Sequence, residues 1–158
     1  MLDNEVMNMN WTQKETSLLK DLKQQEQLCV DKYGEFAARA HDPELRDLFQ
    51  HIRQAEEQHL HQVCSWLGEA APQTAQPTQG NCKPCEPKDM QAAMEADKYL
   101  CQDALCTEKE VSGAYNTSIF EFRDAQVRKA LHEIQGAEQT HGEMIYQYMA
   151  HNGMYQAQ

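Results

Sequence analysis

Two short stretches of the chain each place a glutamate and a histidine three residues apart: "AEEQH" at 55–59 and "AEQTH" at 137–141. In a helix, residues three apart lie on the same side, so each stretch can present a carboxylate and an imidazole to one point. These two groups together suit first-row transition metal ions. The stretches therefore predict metal-binding chemistry if their helices share one interior.

The two stretches belong to a repeat. One constant shift of the chain, which moves position 26 onto position 108, superposes acidic, aromatic and apolar residues on residues of the same type with no gap. The superposed pairs include Glu26 and Glu108, Tyr33 and Tyr115, Asp42 and Asp124, Ile52 and Ile134, Glu56 and Glu138, and His59 and His141. The repeat predicts two copies of one structural unit.

Each copy has the pattern of two helices. Apolar residues recur at steps of three and four, which is typical of amphipathic helices. Asp42 followed by Pro43, and Asp124 in the second copy, predict the N-caps of the second helix in each unit. Each copy is therefore a predicted helical hairpin.

Residues 70–87 contain four prolines and no apolar periodicity, so we predict a linker there. Two hairpins joined by a long linker predict an all-α fold, a ferritin-like four-helix bundle with a single crossover. We predict one domain over 1–158, with hairpins at about 10–69 and 88–152. The linker is expected to run along the outside of the bundle without regular structure.

The acidic residues of the repeat should meet at one level of this bundle. Glu26 precedes the first turn, near position 41, by as many residues as Glu56 follows it. At a rise of about 1.5 Å per residue, both carboxylates lie about 22 Å from that turn. Glu108 and Glu138 are placed in the same way around position 123. The four carboxylates should therefore converge.

Four carboxylates in an apolar interior need protons or cations, because a buried uncompensated charge costs several kcal/mol. Two divalent ions would supply four positive charges. One Glu from each of two helices plus Glu-x-x-His from each of the other two is the ligand set of di-iron and di-manganese bundles. We favour Fe, with Mn as the alternative and Zn as a substitute. The predicted ligands are Glu26, Glu56, His59, Glu108, Glu138 and His141.

Charge and hydropathy exclude several classes of partner. A formal net charge of −11 and a pI near 5.0 oppose binding to nucleic acid or to an anionic membrane. No run approaches the eighteen apolar residues of a membrane span, and the amino-terminal residues lack a signal-peptide pattern, so we expect a cytoplasmic protein. The oligomeric state stays open, and a homodimer is compatible with the sequence.

The remaining cysteines and histidines carry weaker signals. The stretch "CKPC" at 82–85 has the spacing of half a zinc site, but no second pair accompanies it, so we favour a linker dithiol or a reversible disulfide. The other cysteines read as small buried residues: Cys29, Cys64, Cys101 and Cys106. Five histidines fall outside the repeated register and are expected at the surface or at helix caps: His41, His51, His61, His132 and His151.

The two units resemble the ferritin-like superfamily, with rubrerythrin-type spacing in "EQLCVDKY" through "AEEQH" and in "EKEVSGAY" through "AEQTH". Within it, the chain also resembles the spore coat proteins of the coat F type, through "KYLCQDALCTEKEVSGAYNTSIFEFRD" and the ending "HNGMYQAQ". The first resemblance implies that the six predicted ligands hold two metal ions. It also implies that Tyr33 and Tyr115 can hydrogen-bond a ligand carboxylate, with ordinary core packing as the alternative.

The two resemblances imply two alternative functions. Rubrerythrins carry a further Glu three residues after the third-helix ligand, where this chain has Val111, and they add a rubredoxin module that this chain lacks. What remains implied is a redox-active protein, of ferroxidase or peroxide-scavenging type, with oxygen or hydrogen peroxide as substrate. The alternative is a structural spore coat protein, deposited with other coat proteins, in which the metal site only stabilises the fold.

Overall fold

The computed structural model describes residues 9–74 and 89–156 of the chain. Within these ranges it contains four helices and no strand: α1 (Gln13–Arg39), α2 (Pro43–Leu67), α3 (Met90–Ile119) and α4 (Ala125–His151). The predicted all-helical fold is confirmed for this part of the chain. Both predicted N-caps are also confirmed, because the Asp42 side chain accepts a hydrogen bond from the Glu44 amide and Asp124 accepts from the amides of Gln126 and Val127.

The helices pack as two pairs. α1 packs along α2 and α3 packs along α4, while smaller contacts join α1 to α3 and α2 to α4. Hydrogen bonds from Tyr33 to Glu108 and from Tyr115 to Glu26 show that α1 and α3 run in opposite directions. α2 and α4 are likewise antiparallel, since the start of α2 meets the end of α4 where the Tyr148 hydroxyl donates to Asp42.

One apolar core runs through all four helices. Its largest fully buried side chains include Leu22, Tyr33, Phe49, Tyr115 and Leu131. The predicted apolar stripes face this core, but two acidic residues that the sequence analysis did not place inside, Glu15 and Asp97, are also buried. Cys29, Cys64 and Cys101 are buried as predicted, whereas Cys106 is exposed, so its predicted burial is wrong. Cys106 lies on the outer side of α3, two residues before Glu108.

The chain leaves α2 along the outside of the first helix pair. Gly68 has a φ of 70°, in the left-handed region that glycine adopts without strain, and it ends α2. The segment 69–74 then turns back along α2, because the Thr74 hydroxyl donates to the Glu57 carboxylate at 2.8 Å. The rest of the predicted linker, with Cys82 and Cys85, lies outside the described residues, so the course of the crossover stays a prediction.

Candidate metal centre

All six predicted ligands come together in the middle of the bundle. Every helix contributes: Glu26 from α1, Glu56 and His59 from α2, Glu108 from α3, and Glu138 and His141 from α4. Three of the glutamates are fully buried, Glu108 is 4% exposed, and the His59 side chain, at 12%, is the most exposed of the six. The repeated register therefore does place these side chains at one level, as the helix geometry predicted.

The six residues form two overlapping groups. Glu26, Glu56, His59 and Glu138 offer ligand atoms that all lie within 4.8 Å of one another. A second group of the same spread consists of Glu56, Glu108, Glu138 and His141. Glu56 and Glu138 belong to both groups, so each of these carboxylates lies between the two candidate metal positions, one in each group.

The imidazole of His59 points its Nδ1 atom at three carboxylates. Nδ1 lies 3.0 Å from an oxygen of Glu56, 3.0 Å from an oxygen of Glu138 and 3.9 Å from an oxygen of Glu26. These three glutamates belong to three different helices. A ring N–H can be directed at only one of them, so a single proton cannot satisfy all three oxygens.

His141 has the same arrangement in the second group. Its Nδ1 atom lies 3.1 Å from Glu56, 3.5 Å from Glu138 and 3.7 Å from Glu108. The two imidazole rings are stacked, with centroids 6.0 Å apart. The site therefore has approximate two-fold symmetry. Its two halves consist of residues that the sequence repeat makes equivalent.

In the absence of a cation, burial and crowding raise the pKa values of two of the clustered glutamates. Burial and the neighbouring Glu56 and Glu138 raise the pKa of Glu26 well above its ordinary value. Burial raises the pKa of Glu108 to about 7. Without a cation, these two carboxyls are therefore held toward their neutral, protonated forms.

The two histidines and Glu56 are instead held toward their charged forms. Burial by itself lowers the pKa of His59 and of His141, but the facing carboxylates outweigh it and raise the values to about 9 and about 12. Burial raises the pKa of Glu56, and its hydrogen bonds to His141 and His59 outweigh this, so the net shift is downward. The cluster thus lowers its charge in part by holding protons on the imidazoles.

Several oxygens of the cluster still have no hydrogen-bond donor. These buried atoms are Glu26 Oε2, Glu108 Oε2 and both carboxylate oxygens of Glu138. Glu138 Oε1 lies 3.0 Å from the His59 ring nitrogen but outside hydrogen-bond geometry. Buried polar atoms are normally paired, so this number of unpaired oxygens in one place requires a reason. Divalent cations at the two positions would provide partners for all four, and the residues present therefore fit a pair of metal ions.

The two tyrosines of the repeat each bond to a glutamate of the other helix pair. Tyr33 in α1 donates its hydroxyl hydrogen to Glu108 in α3, and Tyr115 in α3 donates to Glu26 in α1. Both tyrosines are fully buried. Burial and the adjacent carboxylates raise the pKa of each phenol well above its ordinary value, so both stay protonated and act as donors. Each tyrosine thereby fixes one carboxylate oxygen.

Two further acidic residues, missed by the sequence analysis, hold the turns between the helices. The Glu15 carboxylate accepts hydrogen bonds from the backbone and side chain of Arg123, in the turn between α3 and α4. The Asp97 carboxylate accepts from the backbone amides of His41 and Asp42, in the turn between α1 and α2. Glu15 and Asp97 superpose under the same shift that relates Glu26 to Glu108, so the repeat carried a signal that would have found this pair.

The histidines outside the repeated register lie at the surface, as predicted. All five are exposed: His41, His51, His61, His132 and His151. His41 contacts Asp97 through its ring nitrogen at 3.3 Å. None of the five belongs to the two groups described above.

Comparison with known protein families assigns a similarity to the second helix pair. Residues 96–158 match the family model of the Coat F domain, which thus covers α4 and most of α3. This part of the chain contains Glu108, Glu138 and His141, one half of the cluster. No curated protein and no solved structure matches the chain. Among the described helices, none combines the length and the apolar character needed to cross a membrane.

Proposed function

We propose that the chain is a ferritin-like four-helix bundle that binds two divalent metal ions in its core. One observation carries this proposal: each of two imidazole nitrogens lies within 4 Å of three carboxylates from three different helices. The ring proton of each imidazole can be directed at only one of these carboxylates, whereas a cation at each position could take all of these atoms as ligands.

The geometry suggests a role for each side chain. Glu26 and His59 would bind one ion, and Glu108 and His141 the other. Glu56 and Glu138, which belong to both groups, would contact both ions. Two divalent ions balance four carboxylates and leave the imidazoles neutral, as metal ligation requires. Oxygen-rich ligands with one nitrogen per ion favour Fe or Mn, and Zn can substitute.

The arrangement of the helices supports the ferritin-like assignment. The two repeats pack antiparallel across the core, so that Tyr33 reaches Glu108 and Tyr115 reaches Glu26. α2 ends at the opposite end of the bundle from the start of α3, since Asp97 in the first third of α3 contacts the turn before α2. A long connection between the pairs is what a bundle with a single crossover requires.

Two uses of such a site remain, and a specific observation favours each. Bound Fe or Mn would supply electron transfer to oxygen or hydrogen peroxide, and the ligand set favours this redox use. The Coat F match over residues 96–158 favours the alternative, a structural protein of the spore coat in which the metal ions tie the two helix pairs together. The protein's own contribution is the same in both cases: it positions the ligands and keeps bulk water out.

Metal analysis tests the binding proposal directly. The protein is loaded with Fe(II) or Mn(II), freed of excess metal, and its metal content is measured per chain. We expect two ions in the wild type and a loss of tight binding of the pair in Glu138→Gln. The matched control is Glu133→Gln, on the same helix, whose side chain is 66% exposed. A metal content near zero in the wild type would refute the proposal.

Oxygen uptake then separates the two uses. The Fe(II)-loaded protein is compared with free Fe(II) at the same concentration in an oxygen electrode. Uptake faster than the free-iron rate, and lost in Glu138→Gln, supports a redox function. Uptake at the free-iron rate, together with two bound ions, supports the structural role in the coat.

A further inference from the structure

The two helix pairs differ in how they cover the cluster, although their ligands are equivalent. In the first pair, Val30, Leu60 and Cys64 form a small apolar cluster separate from the main core, and all three are fully buried. Val30 and Leu60 each follow a predicted ligand by one helical turn. This side of the first pair is therefore closed by apolar side chains beside Glu26 and Glu56.

The segment after α2 adds a second layer on the same side. Ala71 packs on the small apolar cluster. The segment is held at one end by an ion pair between Lys23 and Glu69, and at the other by the Thr74 hydrogen bond to Glu57. The covering segment is therefore tied to α1 at its start and to α2 at its end.

The second helix pair has small or exposed residues at the equivalent positions. The shift that defines the repeat places Ser112 where the first pair has Val30, Gly142 where it has Leu60, and Tyr146 where it has Cys64. Ser112 and Gly142 are half-buried, and Tyr146 is 37% exposed. At Ser112 and Gly142 the second pair thus lacks the apolar side chains that cover the first, although Tyr146 packs on Tyr155 one turn further along α4.

Glu108 lies directly beneath this thinner side. A methyl group placed on Gly142 would lie 3.9 Å from the Glu108 Cβ atom, and no other atom beyond its chain neighbours and its own helix backbone lies within 4 Å. Glu108 is also the one glutamate of the four with residual exposure, at 4%, and its Oε2 atom is buried without a hydrogen-bond donor. Gly142 and Ser112 therefore give this carboxylate less cover than Leu60 and Val30 give its counterpart.

We propose that small solutes reach the metal positions between α3 and α4, past Gly142 and Ser112, and that Val30, Leu60 and Cys64 close the equivalent side of the first helix pair. The solutes are divalent cations and, if the site is redox-active, oxygen or hydrogen peroxide. This inference rests on the proposed metal binding. The competing route leads past His59, whose side chain is 12% exposed.

Metal exchange kinetics test the route without any assay of activity. Gly142→Leu supplies the side chain that Leu60 provides in the first pair. Cobalt(II) uptake by the apo protein and cobalt release to an excess of chelating dye are measured by stopped flow. We expect both rates to fall about tenfold, a barrier increase of about 1.4 kcal/mol, with the equilibrium affinity unchanged. The matched control is Gly136→Leu, also on α4, where an added Cβ has no neighbour within 4 Å.

A second variant protects the test against misfolding. Ser112→Val is a smaller change at the other residue of the opening, and it should slow uptake and release in the same direction. Wild-type rates in Gly142→Leu and Ser112→Val, each folded and binding two cobalt ions, would overturn the route and point to the His59 side. A wild type that binds no cobalt would instead contradict the metal-binding proposal itself.

Discussion

Tyr33 in the first helix pair donates a hydrogen bond to Glu108 in the second, and the repeat generates its counterpart from Tyr115 to Glu26. Each tyrosine therefore orients a glutamate that its own helix does not carry. Such hydrogen bonds to ligand carboxylates fix the direction of the free oxygen, which is the one available to a metal ion. The two bonds also connect α1 and α3 through the buried core.

Replacing either tyrosine by phenylalanine should weaken metal binding without unfolding the protein. The ring is retained, but one carboxylate oxygen loses its donor and can rotate. We expect the affinity of one metal position to fall by about 10- to 100-fold, the usual effect of removing a hydrogen bond to a ligand. Titration with Mn(II) or Co(II) measures the two affinities.

The control for this change is Tyr146→Phe on α4, since Tyr146 is partly exposed and packs on Tyr155. Its metal affinities should equal those of the wild type. If Tyr33→Phe and Tyr115→Phe also leave both affinities unchanged, the tyrosines serve only to pack the core.

Metal should stabilise the folded state, and Glu138 should be needed for this. At a free metal concentration about 100 times the dissociation constant, each site adds about 2.7 kcal/mol to the free energy of unfolding. Glu138→Gln should lose most of this gain. Its metal-free form should still fold, because one of four crowded carboxyls becomes a neutral amide while Glu56 still faces both imidazoles.

Thermal melts with and without Mn(II) check this expectation, with Glu133→Gln as the control that keeps the full metal-induced rise in melting temperature. Equal rises in the wild type and in Glu138→Gln would show that Glu138 is not a ligand.

The sequence predicted the positions of the six candidate ligands well because their placement depends on helical spacing alone. Glu26 and Glu56 meet at one level because they are equally far from one turn, and the repeat transfers this relation to Glu108 and Glu138. The structure brings all six together, while metal binding by them stays a prediction. The two Asp N-caps followed equally directly from local rules.

Other features could not be read from spacing. That both imidazoles present Nδ1, not Nε2, depends on side-chain rotamers chosen by packing. The anchors Glu15 and Asp97 were missed because an acidic residue near a helix start is usually solvated, and only tertiary contacts with the opposite turn bury these two. Cys106 was placed inside because cysteine is usually buried, but its position on α3 faces outward.

Asp97 should be important for the turn between α1 and α2. Its two oxygens each accept a backbone amide hydrogen, from His41 and from Asp42, both at 2.9 Å. In Asp97→Asn only one side-chain oxygen remains as an acceptor. The new NH2 group faces the other backbone N–H donor, which then has no acceptor. We expect a loss of about 1–3 kcal/mol, the cost of an unsatisfied buried group.

Urea unfolding of Asp97→Asn measures the loss, with Glu110→Gln as the control because Glu110 lies on the same helix and is exposed. A free energy of unfolding equal to that of the control would mean that the turn forms without the carboxylate.

Glu15 should make stability depend on pH in the acidic range. Its hydrogen bonds with Arg123 lower the pKa of the carboxyl from 4.5 to about 2 in the folded protein. Because the folded protein binds the proton less readily than the unfolded chain, the ionised carboxylate stabilises the fold above about pH 4.5. This contribution decreases as the pH falls from 4.5 to 2, and it is lost below both values.

Glu15→Gln should therefore be less stable than the wild type at pH 7, and the difference should shrink as the pH falls through this window. The measurement is the free energy of unfolding of metal-free wild type and variant by urea at several pH values between 7 and 2.5. The difference between the two proteins cancels the titration of the central cluster, which both share. Glu121→Gln, in the same turn but with a 38% exposed side chain paired with Lys14, is the control for the loss of a surface carboxylate. A wild-type advantage that stays constant down to pH 2.5 would mean that the carboxylate's charge does not hold Arg123 and that Glu15 acts through packing and its hydrogen bond from the Thr12 amide.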